Sequence, residues 1–200
     1  MTSEGVVNCY VRGRTISLRH PTQEDIVGGW TEWFSDPDIT RHLPDQYWPN
    51  STEAQGRYYE SLLAQRERLS LSVVHNADGR LIGTCSLSSI NVAHRYATVA
   101  VVIGDKRFHR AGIGVEAYNL ILEVAFRRLN LMTVLSFSSS MNTAVHGVHR
   151  LVGFAERGVI PGVFDYDGRR IDMVVSSVLR DDWMERQSPR RADGTVGAQS

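Results

Sequence analysis

Two hundred residues make a single globular domain the default, and 42% apolar with 22% charged residues exclude disordered, collagen-like and coiled-coil classes. Lys plus Arg and Asp plus Glu number 22 each, so the formal net charge is zero. That balance argues against nucleic-acid binding by bulk charge, while leaving room for a local basic pocket.

The two cysteines, Cys9 and Cys85, are far apart and lack a metal-ligand partner at short spacing, which speaks against a disulfide scaffold, a zinc ribbon or another metal site. The opening segment has no apolar signal-peptide core, and no run approaches the roughly 18 apolar residues of a membrane-spanning helix. The chain therefore reads as soluble and cytoplasmic, without a membrane partner. Lys106 is its only lysine among 22 basic residues, a bias read as genome composition.

In chain order, residues 15–19 alternate as a short strand. A Thr22-x-x-Asp25 capping pattern opens a helix over 22–34. Ser51 opens a second helix reaching about residue 68, with Glu53 in its first turn and Tyr58, Tyr59, Leu62 and Leu63 on its apolar face. Strand-like runs follow at 69–75, 81–90 and 97–103, the first two joined through Asp78-Gly79, a hairpin signal. Residues 112–129 carry Val115, Tyr118, Leu122, Ala125, Phe126 and Leu129 at helical spacing. A buried strand at 132–137, a short helix at 142–151, and a hairpin of 154–163 with 171–179 through Asp167-Gly168 complete the pattern. The order predicts an α/β (α+β) domain over 1–185, with a mixed, mostly antiparallel sheet of about seven strands flanked by helices. Residues 186–200, with almost no large apolar side chains, read as a disordered tail.

The most informative segment runs from Val101 to Val115. A buried strand enters a loop whose glycines, Gly112 and Gly114, open a long amphipathic helix, and Arg107, His109 and Arg110 lie beside it. Glycines let a ligand approach the backbone, and first-turn amides with the helix dipole attract anions such as a pyrophosphate. The same glycines also serve a tight turn. No Gly-Lys-Ser/Thr follows, so this is not a P-loop, and its mid-chain place after antiparallel strands makes a poor dinucleotide fingerprint.

The stretch Val102–Val115 resembles the acetyl-CoA motif of the GNAT N-acetyltransferase superfamily: strand, a Q/R-x-x-G-x-G/A loop, then helix. The segment from Asn142 to Phe154, with Asn142, His149, Gly153 and Phe154, is similar to the family's N-(six residues)-Y…G-F segment. Residues 125–131, Trp183 and the early Trp33-Phe34-Ser35-Asp36-Pro37 look like the bacterial RimJ/RimL-type branch. The likeness covers about residues 12–184.

That resemblance implies a splayed central strand pair, between 97–104 and 132–137, with pantetheine bonded to main-chain groups of Val102 and Gly104 and Ile103 counted in the same cofactor site. The pyrophosphate is expected on Arg110, Ala111, Gly112, Ile113, Gly114 and Val115. His109 stands where the motif has Gln or Arg, and His149 where many members carry a thiolate-protonating Tyr. An imidazole with a pKa near working pH suits a general acid; the alternative is a residue packed under the sheet. Asn142 is expected to touch the cofactor, to cap its helix, or both. Where RimJ/RimL-type proteins often carry a Glu the chain has Thr98, so base candidates fall to Asp36, Asp38 and Asp45. Trp33, Asp36, Tyr47 and Trp48 are the expected acceptor-binding residues, with Trp30 and Phe34 assigned to the core.

The implied activity is acetyl transfer from acetyl-CoA to the primary amine of a small molecule, such as an amino sugar or aminoglycoside-like metabolite, without an acetyl-enzyme. The alternatives are a protein N-terminal α-amine of ribosomal-protein type, and a non-catalytic CoA-binding module. The terminal hairpin suggests edge pairing in a homodimer.

Overall fold

In a computed structural model of the protein, residues 9–43, 49–64, 66–109 and 112–188 are described. Eight strands form one sheet in the order β1-β2-β3-β4-β5-β6-β8-β7. They are β1 Cys9–Arg12, β2 Ile16–Arg19, β3 Leu69–His75, β4 Leu81–Asn91, β5 Tyr96–Ile103, β6 Thr133–Ser139, β7 Ala155–Tyr166 and β8 Arg169–Leu179. All neighbours are antiparallel except β5 and β6. The eighth strand, beyond the seven expected, is β1: four residues bonded to β2 across a bulge between Cys9 and Val11, too short to betray itself by alternation.

The helix expected over 22–34 is broken in two. Thr22 caps α1 (Gln23–Asp25) through a capping box with Asp25, then a π-helical turn at Ile26–Trp30 intervenes before α2 (Thr31–Phe34). Gly28 leaves helical geometry there, and Thr31 Oγ1 donates to Ile26 O at 2.6 Å, five residues back. The pair Gly28-Gly29 has the least helix propensity of any non-proline pair, so the widened turn forms where resistance is lowest. Next come α3 (Pro37–Thr40), capped by Asp36, and α4 (Thr52–Ala64). The long amphipathic helix is α5 (Ile113–Glu123), continued by a second π turn at Val124–Arg128. It ends at Asn130, which has a left-handed φ of 55°. The short helix is α6 (Thr143–Val152). Finally α7, Arg180–Gln187, runs past the expected domain limit at 185 and seats Trp183 in the core, 3% exposed. Residues 189–200 of the expected tail lie outside the described residues.

The core lies between the sheet and α5. Ile16, Leu18, Val73, Leu87 and Val99 from the strands meet Ile113, Ala117, Ile121 and Phe126 of the helical run, all buried. Burial of such side chains contributes about 1.5–3 kcal/mol each and fixes α5 against the sheet. Among the described residues no helix is long and apolar enough to cross a membrane.

Candidate active site

The sheet opens at its one parallel seam. β5 and β6 pair only through Tyr96–Thr133, Ala97–Val134 and Thr98–Leu135, although β5 continues to Ile103 and β6 to Ser139. Beyond Thr98 the two strands part, leaving a wedge. The Gly104 N–H donates to Ile82 O at 3.0 Å, and a Cβ built on Gly83 would strike Val102 O. By the alternation of an antiparallel ladder, the main chain of Val102 and Ala100 therefore faces β4, and that of Val99, Val101 and Ile103 faces the wedge. This corrects the expected pantetheine contacts by one residue: Val102 and Gly104 spend their backbone groups within the sheet. Unpaired strand groups seek partners, and an amide-bearing ligand supplies them.

At the mouth of the wedge, Gly112 is the N-cap of α5 with φ +72°, and among the described residues no side chain caps the helix. Glycine fits this left-handed position, and without a cap the first-turn amides of Ile113, Gly114 and Val115 remain open to an anion. Arg110 and Ala111 lie outside the described residues. His109 is committed elsewhere: its Nε2 lies 2.8 Å from Ile103 O, so the ring closes off a wedge-facing carbonyl. Lys106, three residues earlier, forms ion pairs with Asp36 at 2.8 Å and Asp38 at 3.0 Å.

Asn142 sits at the end of β6 and caps α6, its Oδ1 accepting from Val145 N at 3.2 Å. The Nδ2 has no partner among the described residues. His149, on α6, is 3% exposed, stacked on Phe154 with ring centroids 4.5 Å apart, and its Nε2 lies 3.3 Å from the Tyr118 hydroxyl. Burial, with a lesser push from nearby His146, lowers its pKa to about 4. The expectation of an imidazole titrating near working pH is thereby corrected: His149 is neutral there, because its charged form is poorly solvated. The Tyr118 phenol, itself buried with a raised pKa, also bonds Ser136, the first residue of β6 after the last β5–β6 pair.

On the sheet face opposite α5 lies a cavity of about 490 Å³. Its floor is a patch of small side chains: Ser70 of β3, Thr84, Ser86 and Ser88 of β4, Ala100 and Val102 of β5. The pairings Ser70–Ser86–Ala100 and Thr84–Val102 bring them together across three strands. Alternating Ser and Thr in the runs at 69–75 and 81–90 was the available signal, and the sequence reading did not take it. The roof carries Trp30, Phe34, Thr40, Asn50, Gln55 and Tyr58. Trp30 and Phe34, expected in the core, thus line the cavity, Trp30 being buried as well.

Trp33 and Asp36, expected to bind the acceptor, stand beside the cavity and do not line it. The Trp33 indole packs on Gly104 so closely that a Cβ there would enter the ring. Asp36 caps α3, and hydrogen bonding to Lys106 holds its carboxyl below the ordinary carboxylate range, as it does for Asp38. Neither is a strong base. Tyr47, Trp48 and Asp45 lie outside the described residues. Cys85 also lines the cavity, but complete burial pushes its thiol pKa far up and keeps it neutral.

A mixed sheet that splays beside its parallel seam, with a glycine-started helix and a hydroxyl-floored cavity on the adjoining strands, is the architecture that the resemblance to the GNAT superfamily implies. Residues 15–155 match the family model described as acetyltransferase (GNAT) domain, and the chain belongs to that family, whose members use acetyl-CoA. The chain is similar to a spermidine N-acetyltransferase from Vibrio cholerae solved in complex with CoA and spermine: 21% identity, TM-score 0.78, 85% of this chain and 98% of that one covered. A GNAT-family acetyltransferase from Bacillus anthracis superimposes at TM-score 0.74 with 15% identity over 86% and 98% of the two chains. In sequence, YdaF of Bacillus subtilis (strain 168), whose name includes the words ribosomal N-acetyltransferase, is 29% identical over 106 residues. That match spans 53% of this chain and 57% of YdaF.

Proposed function

We propose that the protein is an acetyl-CoA-dependent N-acetyltransferase acting on the primary amine of a small molecule, by direct transfer with both reactants bound. The observation that carries this reading is the shared strand β5, which borders the wedge with its backbone edge and floors the cavity with Ala100 and Val102. One strand thus touches both reactants, and catalysis by positioning follows. The wedge fits pantetheine through the main chain of Val99 and Val101 and the N–H of Ile103, and the open amides of α5 from Ile113 to Val115, beside Gly112, fit the pyrophosphate.

When bound, acetyl-CoA supplies an activated acetyl group and a thiolate leaving group. Asn142 has a free Nδ2 with which to hold the cofactor at the end of β6. His149 and the Tyr118 hydroxyl, hydrogen-bonded to each other, are the pair through which a proton could pass between the amine and the thiolate that acetyl-CoA would release. Because the imidazole is neutral near pH 7, it works as a relay and not as a resident acid. Buried, neutral Cys85 is no nucleophile, which favours direct transfer over an acetyl-enzyme.

Calorimetric titration with acetyl-CoA, with NADH and ATP as controls, tests the reading. Micromolar binding, about −8 kcal/mol, is expected for acetyl-CoA alone; silence from acetyl-CoA overturns it. For the acceptor, an amino sugar or related polar amine suits the hydroxyl-lined floor. A protein N-terminal α-amine is the second reading, favoured by the likeness to YdaF.

A further inference from the structure

The spermine in the Vibrio cholerae complex raises a question that the cavity's own chemistry addresses: what charge does the acceptor carry? Among the described residues no Asp or Glu lines the cavity, and its one charged side chain is Arg68. Arg68 makes no ion pair among the described residues. Its guanidinium lies over the Tyr58 ring, 5.5 Å from the centroid. On the other side of the cavity roof, Trp30 contacts the same Tyr58 ring with centroids 6.0 Å apart. Trp30 is 1% exposed, so the ring beneath the guanidinium is braced from within. A guanidinium on a cavity wall without a counter-charge among the described residues favours an anion as its partner. Its planar fork matches an oxygen acceptor of negative charge.

We infer that the acceptor of this cavity is an amine bearing an anionic oxygen group, carboxylate or phosphate, which Arg68 holds, and that polycationic amines are disfavoured. The inference rests on the acetyltransferase reading for the identity of the cavity. A polyamine would bring at least two positive charges to a site with no carboxylate among its described walls and a guanidinium in place. A guanidinium and an ammonium group at short range repel. The hydroxyl floor of Ser70, Thr84, Ser86 and Ser88 binds neutral polar parts of the same molecule without choosing a charge.

The test compares glucosamine, glucosamine 6-phosphate, glucosaminic acid and spermidine as acceptors, by CoA thiol release and by calorimetric binding without acetyl-CoA. Either anionic amine is expected to exceed both glucosamine and spermidine by about tenfold or more in kcat/KM and in affinity; the phosphate and carboxylate arms then tell which anion is meant. Arg68→Gln is expected to reduce the anionic-to-neutral preference by about 10- to 100-fold, the range for losing a hydrogen bond to a charged group. Arg68→Lys, which keeps the charge without the fork, retains part of the preference and stands in should the glutamine variant not fold. Spermidine or glucosamine as the better ligand, no binding by either anionic amine, or a preference that Arg68→Gln does not move overturns the inference. Titration of acetyl-CoA into the same samples separates the two failures. Bound acetyl-CoA with the wrong acceptor preference sinks only the anion inference, whereas absent acetyl-CoA binding sinks the acetyltransferase reading and leaves calorimetric binding to judge the anion site.

Discussion

Acidification from about pH 7.5 to about pH 5 is expected to remove roughly 2 kcal/mol of folding stability through His149 alone. In the unfolded chain its imidazole titrates at the ordinary value of 6.5; in the folded protein, burial against Phe154 and Tyr118 lowers that to about 4. Above the ordinary value both states are neutral and His149 contributes no pH dependence. Below it the unfolded chain takes up a proton that the folded one refuses, and each pH unit shifts the balance by about 1.36 kcal/mol until the folded value is reached. About one and a half units of that window lie above pH 5, which gives the figure. The assay is urea unfolding of wild type and His149→Gln at several pH values. The variant keeps an amide near the Tyr118 hydroxyl but does not titrate. Its stability is offset at neutral pH by lost ring stacking; the gap between the two proteins is expected to close by about 2 kcal/mol at the acid end. Parallel curves would refute the claim that His149 is buried in neutral form. The same variant reports on chemistry: a relay role predicts a loss in kcat on the order of 10²-fold, and unchanged turnover removes His149 from the mechanism.

Asp25 is held by Arg19 at 2.6 and 2.7 Å, by Ser72 Oγ at 2.7 Å and by the Thr22 N–H at 2.9 Å, and is 5% exposed. Burial alone raises a carboxyl pKa, but here the Arg19, Thr22 and Ser72 bonds outweigh it and the net shift is downward. Asp25→Asn leaves Arg19 without its counter-charge and is expected to cost about 3–5 kcal/mol in chemical denaturation. In wild type, the stabilising contribution is present above the ordinary carboxylate value of 3.8 and is lost as pH falls below it toward the folded value. Gly104→Val drives a side chain into the Trp33 indole and is expected to lower stability by at least about 1–3 kcal/mol, read from the thermal midpoint, and to weaken acetyl-CoA binding at the wedge. The proposed homodimer has an edge strand to use, β7, with Val159, Ile160 and Val163 each more than 40% exposed. Light scattering is expected to give twice the 22.4 kDa chain mass, and Val159→Lys to return the monomer; a wild-type monomer rejects this proposal.

What was legible in the sequence was local. Alternation located β3 exactly as folded, the Thr22-x-x-Asp25 pattern is a true capping box, and Asp167-Gly168 forms its turn with φ of 52° and 79°. Such features depend on neighbours in the chain. The π turn at Ile26–Trp30 was not legible, because it arises from competition between a glycine pair and the packing of Trp30. The cavity floor was hidden for a different reason: Ser70, Ser86 and Ala100 are neighbours only once strand register is known. The wedge was expected at the correct strands, yet the edge that faces it came out one residue off, since a one-residue slip reverses which backbone groups point where. The burial of His149 depends on Phe154 and Tyr118, a partner 31 positions away.

The three-pair seam between β5 and β6 has a mechanical side. Five strands on one flank and three on the other are joined at one end of a single ladder, so the sheet resembles a book bound only along part of its spine. Helix α5 packs against β2, β4 and β5, and α6 packs against α5. A pantetheine arm lying in the opening would act as a temporary ninth strand, and its hydrogen bonds would belong to the fold as much as to recognition. Occupancy and cohesion are then one quantity: unfolding free energy should climb with ligand as RT ln(1 + [L]/Kd), about 2.7 kcal/mol at a hundredfold excess over Kd. Acetyl-CoA in the wedge would thus add to the cohesion of the seam, and its departure would remove that contribution.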